Sequence, residues 1–205
     1  MKYSTIEENW NIGTHALGTV LSIPATYFLI AKSGNSLELL ASAIFGVSLL
    51  VLYFASATYH ASKNEGRRIK LRIFDHIAIF VLIAGTYTPI CMISLWNSWG
   101  PYLLIIIWSI AFVGIIFKLF FTGKFDRAST IAYVAMGWIA VIAIKPLLEY
   151  FSVAPLLWLL GGGINYTLGA IIYSINSFPF NHAIFHVFVL AGSACHYVMI
   201  YNYVI

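Results

Sequence analysis

Apolar stretches of roughly twenty residues, the length needed to cross a bilayer as a helix, follow one another along nearly the whole chain. Short polar segments separate them. The pattern predicts seven membrane-spanning helices, at Asn11–Ala31, Leu39–Ser62, Ile73–Leu95, Tyr102–Phe121, Ala128–Ile144, Leu156–Ile175 and His182–Tyr203. The fifth is the shortest, and Pro146 is a natural stop for it. Pro24 and Pro89 are expected to kink the first and third helices. Gly161-Gly162-Gly163 reads as a close-packing stripe in the sixth helix rather than a break. Short loops make consecutive helices antiparallel neighbours. The fold class is therefore an all-α integral membrane protein, a seven-helix bundle forming one domain over residues 1–205.

Composition sharpens this picture. The 205 residues are 61% hydrophobic and 9% charged, with a mean hydropathy of +0.89. Soluble domains are nearer 45–50% apolar and about 25% charged. The net charge of +4 is small, and no basic run is interleaved for nucleic-acid binding, so no nucleic-acid partner is expected. The Lys and Arg residues serve better as topology signals. Lys2, Lys63, Arg67, Arg68, Lys70, Arg72, Lys118, Lys124 and Arg127 fall on one side of the bundle; Lys32 and Lys145 fall on the other. The positive-inside rule then places the N-terminus in the cytoplasm and the C-terminus outside. Residues 1–8 are acidic and lack a basic n-region, so no cleavable signal peptide is expected. The expected location is the cell inner (plasma) membrane, as a multi-pass protein. Cys91 and Cys195 lie in apolar runs with no framework or ribbon spacing and read as small buried thiols.

With this topology, polar residues from three helices reach one depth. Ser56 and His60 end the second helix, Asp75 and His76 begin the third, and His182 and His186 begin the seventh. Polar side chains kept inside spans are functional candidates, since lipid tolerates them poorly. His182 and His186 are an i, i+4 pair on one helical face, with Cβ atoms about 5–6 Å apart. Ser56 and His60 share that spacing. His60, His182 and His186 can supply three nitrogens to Zn2+ and leave the fourth tetrahedral position for water, which is the pattern of a catalytic zinc site. Asp75 can hold or deprotonate that water. Zinc is preferred because no thiolate or thioether lies at that depth, although nitrogen ligands do not exclude other metals.

Plainer readings stay open for individual residues. Asp75 alone could pair with Arg72 or Lys70, or favour a helix N-terminus. His15, with Thr14 beside it, could orient a ligand or the water from the first helix; a structural cap or interhelical hydrogen bond fits equally. His76 follows Asp75 directly and points about 100° away, so it reads as a non-ligand. His196 lies about 15 Å deeper than His186 and reads as an interhelical bonder. Thr86 and Tyr87 read as packing. Trp96, Trp99, Tyr102, Tyr201 and Tyr203 form an outer aromatic belt.

Glu8-x-x-Asn11-x-x-Thr14-His15, Ser56-x-x-x-His60, Asp75-His76, Ala84-Gly85-Thr86-Tyr87-Thr88-Pro89 and His182-x-x-x-His186 with His196 resemble the hemolysin III family. This is the bacterial branch of the progestin and adiponectin receptor (PAQR) family. The match runs in order from Glu8 to His196. The resemblance implies a seven-helix bundle with its N-terminus inside and zinc on three histidines, matching His60, His182 and His186. The family's serine and aspartate match Ser56 and Asp75. The related receptors, and the similar alkaline ceramidases, are associated with hydrolysis of lipid amides. The bacterial branch is linked to membrane lipid and fluidity homeostasis. No long N-terminal cytoplasmic region like that of the eukaryotic receptors is seen, so hormone sensing is not carried over.

Three functions compete. One is a zinc-dependent intramembrane hydrolase of a lipid amide or ester, with Asp75 and Ser56 as catalytic residues and a membrane lipid as substrate. Another is a non-catalytic, zinc-stabilised sensor or regulator of membrane lipid state. The third, a pore-forming hemolysin, is disfavoured: a pore needs polar groups through the full depth, and here they cluster at one side.

Overall fold

A computed structural model of the chain describes residues 4–175 and 177–205. Among the described residues every regular element is helical. Seven helices are long and apolar enough to span a membrane: Thr5–Lys32, Ser36–Ala61, Glu65–Ser94, Gly100–Phe121, Asp126–Tyr150, Val153–Ser174 and Asn181–Tyr203. They are called the first to seventh helices below. Each expected span has its counterpart, and the differences lie at the ends.

The first helix starts at Thr5, six residues before the expected Asn11. Ser4 caps it, its hydroxyl accepting the Glu7 N–H, and Glu7 and Glu8 occupy the first turn, where the helix dipole favours negative charge. The third starts at Glu65 rather than Ile73, because the Asn64 side chain accepts the Arg67 N–H and begins a basic turn ahead of the apolar run. Pro24 does not interrupt the α-helix of the first span. After Pro89 the third helix widens into a π-helical turn over Ile90–Ser94.

The fifth helix does not stop before Pro146. Its α-helix ends at Gly137, tightens to 3-10 over Trp138–Ala143, and resumes over Ile144–Tyr150. Pro146 thus sits in the first turn of a renewed helix, where a missing N–H costs little. Tyr87 stitches the break. Its Oη accepts the Ala140 N–H at 2.8 Å and donates to the Gly137 carbonyl at 2.7 Å. In lipid such freed backbone groups must find partners inside the protein, so Tyr87 has a role beyond the packing expected of it.

The first helix packs on the second and seventh, the second on the third, the third on the fourth, and the sixth on the seventh. The fifth touches the third and sixth. Small residues allow the closest approaches, as is usual between helices in lipid. A side chain at Gly18 would strike Tyr53, one at Gly46 would strike Thr26, and one at Gly162 would strike the His196 ring. The glycine stripe of the sixth helix is therefore a packing feature, as expected.

Candidate metal centre and cavity

The first helix buries Glu8, Asn11, His15, Gly18 and Ser22. These recur every three or four residues and draw a polar and small stripe down an otherwise apolar helix. That stripe faces the second and seventh helices and meets their histidines. His60 is 3% exposed, His182 8% and His186 1%. One ring nitrogen from each of the three lies within 4.8 Å of the others. The Nε2 atoms of His60 and His182 are 3.2 Å apart. Tetrahedral ligands at zinc distances would stand about 3.3 Å apart.

The outward nitrogens are held from behind. His60 Nδ1 lies 2.6 Å from Glu8 Oε2. The other Glu8 oxygen pairs with Arg68, and the Asn11 amide donates to Oε2 at 3.4 Å. A carboxylate accepting the Nδ1 proton fixes the tautomer that leaves Nε2 as the electron-pair donor, the usual support of a metal-binding imidazole. His186 Nδ1 likewise faces the Asn11 carbonyl at 3.2 Å and Thr14 Oγ1 at 3.3 Å. Its Nε2 is thereby directed inward.

At His182 the seventh helix is anchored by its own start. Phe180, at φ 55, turns the chain into that helix through the left-handed region. Asn181 then donates to the carbonyls of Tyr173 and Ile175 at 3.0 and 3.1 Å. A bulky residue held at positive φ is strained, and such strain persists only where neighbours enforce it. Tyr173 closes over His182 edge-on, with ring centroids 5.2 Å apart.

The candidate ligands come from two helices, the second and the seventh. The third supplies Asp75, and the first supplies Glu8, Asn11 and Thr14. His15 reaches the cluster by a route not expected of it. It stacks flat on His186, centroids 3.5 Å apart and planes 10° apart, and neither of its own ring nitrogens has a hydrogen-bond partner among the described residues. Asp75 does not pair with Arg72, which instead holds Asp126 at 2.7 Å. His76 stands outside the cluster. His196 faces the Leu159 carbonyl across helices at 3.2 Å.

A cavity of about 420 Å³ opens from this cluster. Ser56, Asp75, His182 and His186 line one end, and Leu95, Leu103, Leu147 and Leu156 line the other. Its size falls in the usual range for small-ligand sites. Polar groups at one pole and an aliphatic shaft beyond match an amphiphile rather than a water column.

Comparison with known proteins agrees with this architecture. The Haemolysin-III related family model matches residues 3–197. The chain belongs to that family. It is 45% identical over 202 residues to Hemolysin-3 of Bacillus cereus, covering 97% of this chain and 92% of that protein. It is 47% identical over 191 residues to a Hemolysin-3 homolog of Bacillus subtilis (strain 168), covering 92% and 90%. A more distant relative is the human Monocyte to macrophage differentiation factor, 26% identical over 208 residues, covering 98% and 86%.

Glu8 and Arg68 are the site residues that motif reading left without a role. The periodic stripe of the first helix was the available signal for Glu8. Nothing in local sequence pairs Arg68 with it across 60 positions.

Proposed function

We propose that this haemolysin-III-related protein is a zinc-dependent hydrolase of a lipid amide or ester in the cell inner membrane. The observation that carries the proposal is the pairing of three convergent imidazoles, His60 and His186 held from behind, with an apolar cavity that begins at His182 and His186. His60, His182 and His186 would hold the metal, and their donor set fits zinc. When bound there, zinc supplies Lewis-acid polarisation of a carbonyl and acidifies water.

The chain's own residues do the rest. Asp75 orients the attacking water and takes its proton as the water oxygen bonds to the acyl carbon. Ser56 donates a hydrogen bond to the developing oxyanion. The carbon–nitrogen or carbon–oxygen bond then breaks, and Asp75 returns the proton to the leaving amine or alcohol. The aliphatic shaft holds the acyl chain and keeps bulk water out. Purified zinc-loaded protein is expected to release fatty acid from a ceramide-like substrate, and Asp75→Asn to lose that activity while keeping its metal. Equal release by the wild type and His186→Ala would refute the proposal.

A second reading, a zinc-stabilised lipid sensor without turnover, is favoured by one feature. The cluster ties the first, second and seventh helices together, and a metal there would contribute to folding directly. Under it, chelation lowers the melting temperature sharply in wild type and Asp75→Asn alike, and no substrate is turned over. A melting temperature unchanged by chelation argues against it.

A further inference from the structure

The cavity does not end at the metal cluster. From Asp75 the aliphatic shaft runs to Leu95, twenty residues on and about 30 Å along the third helix. A shorter arm runs the other way, toward the basic end of the bundle. Tyr133 Oη donates to the His76 carbonyl at 3.0 Å, which sets that hydroxyl at the level of Asp75. One and two turns closer to the basic end, Thr130, Ser129 and Asp126 of the fifth helix also line the cavity. Asp126 stands about 10 Å beyond Tyr133 along that helix. Tyr173, in the last turn of the sixth helix, completes the arm.

The hydroxyl protons of this arm are mostly committed. Ser129 Oγ donates to the Phe125 carbonyl at 2.9 Å and Thr130 Oγ1 to the Asp126 carbonyl at 3.0 Å. Tyr133 donates to His76. Tyr173 differs. Its hydroxyl makes no hydrogen bond among the described residues, and it is open to a molecule the size of water. It interacts electrostatically with the carboxylates of Asp75 and Asp126, and Tyr133 interacts with it and with both carboxylates. The hydroxyl therefore faces the polar arm beside Asp75. The rest of the residue is fixed. Its ring meets His182 edge-on and leans on Phe185, with centroids 5.2 and 5.3 Å away. The Asn181 amide holds its carbonyl at 3.0 Å. Tyr173 is thus a rigid donor with nothing to donate to.

A polar arm on one side of Asp75 and an aliphatic shaft on the other sort an acyl compound at its carbonyl. The acyl chain suits the shaft, and the amine or alcohol half falls in the arm. A pocket that offers an unspent donor favours a ligand with a hydroxyl there over one without.

We infer that Tyr173 donates a hydrogen bond to a hydroxyl on the amine or alcohol half of the substrate, and so selects acyl amides or esters of hydroxylated amines or alcohols. Naming that half the leaving group rests on the hydrolase reading; the hydrogen bond rests on the cavity.

The test compares N-lauroylethanolamine with N-propyl lauramide, in which a methyl group replaces the hydroxyl. Affinity of the zinc-loaded full chain for each amide is measured by calorimetry in neutral detergent, and release of lauric acid is followed in parallel. The preference for the ethanolamide is expected to be about three- to tenfold larger in wild type than in Tyr173→Phe. Partition into detergent is common to both proteins and cancels in that comparison. The phenylalanine ring keeps the contacts with His182 and Phe185, so metal content stays that of the wild type. Tyr197→Phe, outside the cavity, is expected to keep the wild-type preference. An equal preference in wild type and Tyr173→Phe overturns the inference, as does binding of neither amide. Hydrolysis of neither, with the difference in preference intact, refutes the hydrolase reading and leaves the hydroxyl site standing. Hydrolysis of both, with no difference between the two proteins, refutes the hydroxyl site and leaves the hydrolase.

Discussion

The second and third helices and the fifth and sixth helices live in the same bilayer but are built on different terms. Over their most apolar stretches, 56% and 67% of the residues in the second and third are buried, against 17% in each of the fifth and sixth. The dense side carries the polar chemistry: Ser56, His60 and Asp75 stand there among Gly46, Ser48 and Gly85, where helices approach closely. The sparse side walls the cavity and contains the helix that breaks into a 3-10 segment. The difference teaches where precision is needed. Imidazoles must be held to a fraction of an ångström to share an ion, whereas an acyl chain needs only an apolar space.

The largest expected effect strikes the histidine cluster that the dense side shares with the seventh helix. His186→Ala should reduce bound zinc from about one equivalent to almost none, measured by elemental analysis of purified protein; retention of a full equivalent would show that the cluster does not need it. Glu8→Gln comes next. It removes the carboxylate behind His60 and should weaken metal affinity by about 10–100-fold in a chelator competition, with the fold intact by circular dichroism. Unchanged affinity would make Glu8 a simple partner for Arg68.

Packing variants sharpen the contrast away from the histidine cluster. Gly46→Val places a side chain against Thr26 and should cost about 1–3 kcal/mol in unfolding stability. Tyr87→Phe strips the hydroxyl that accepts the Ala140 N–H and donates to the Gly137 carbonyl, and should cost about 1–3 kcal/mol. The smallest effect is expected at Gly137, where an added Cβ meets nothing and the backbone is right-handed helical. Gly137→Ala should raise stability by about 0.5–1 kcal/mol. If Gly46→Val and Gly137→Ala shift the melting temperature equally, the two sides are not packed differently.

Seven spans, their order and the depth shared by His60, Asp75, His182 and His186 were legible in the amino-acid sequence. Hydropathy sets which residues must enter lipid, charge sets which loops stay out, and an i, i+4 spacing sets a common helical face. The resemblance of motifs from Glu8 to His196 also identified the family. The end of the fifth helix was misread because Pro146 stops a helix in isolation, whereas here a 3-10 turn precedes it and Tyr87 supplies the missing partners.

Lateral pairing was beyond that reading. Helical periodicity fixes the rotation and depth of a side chain but not the neighbour it meets, and Glu8 finds His60 and Arg68 across 52 and 60 positions. By the same logic Arg72 could have paired with Asp75 three residues away, yet the packing of the third helix beside the fifth gives it Asp126. The sequence by itself determined what would lie in the membrane and at which level. Only the tertiary structure decided which charges face one another, because in a bundle those distances are set by how whole helices pack.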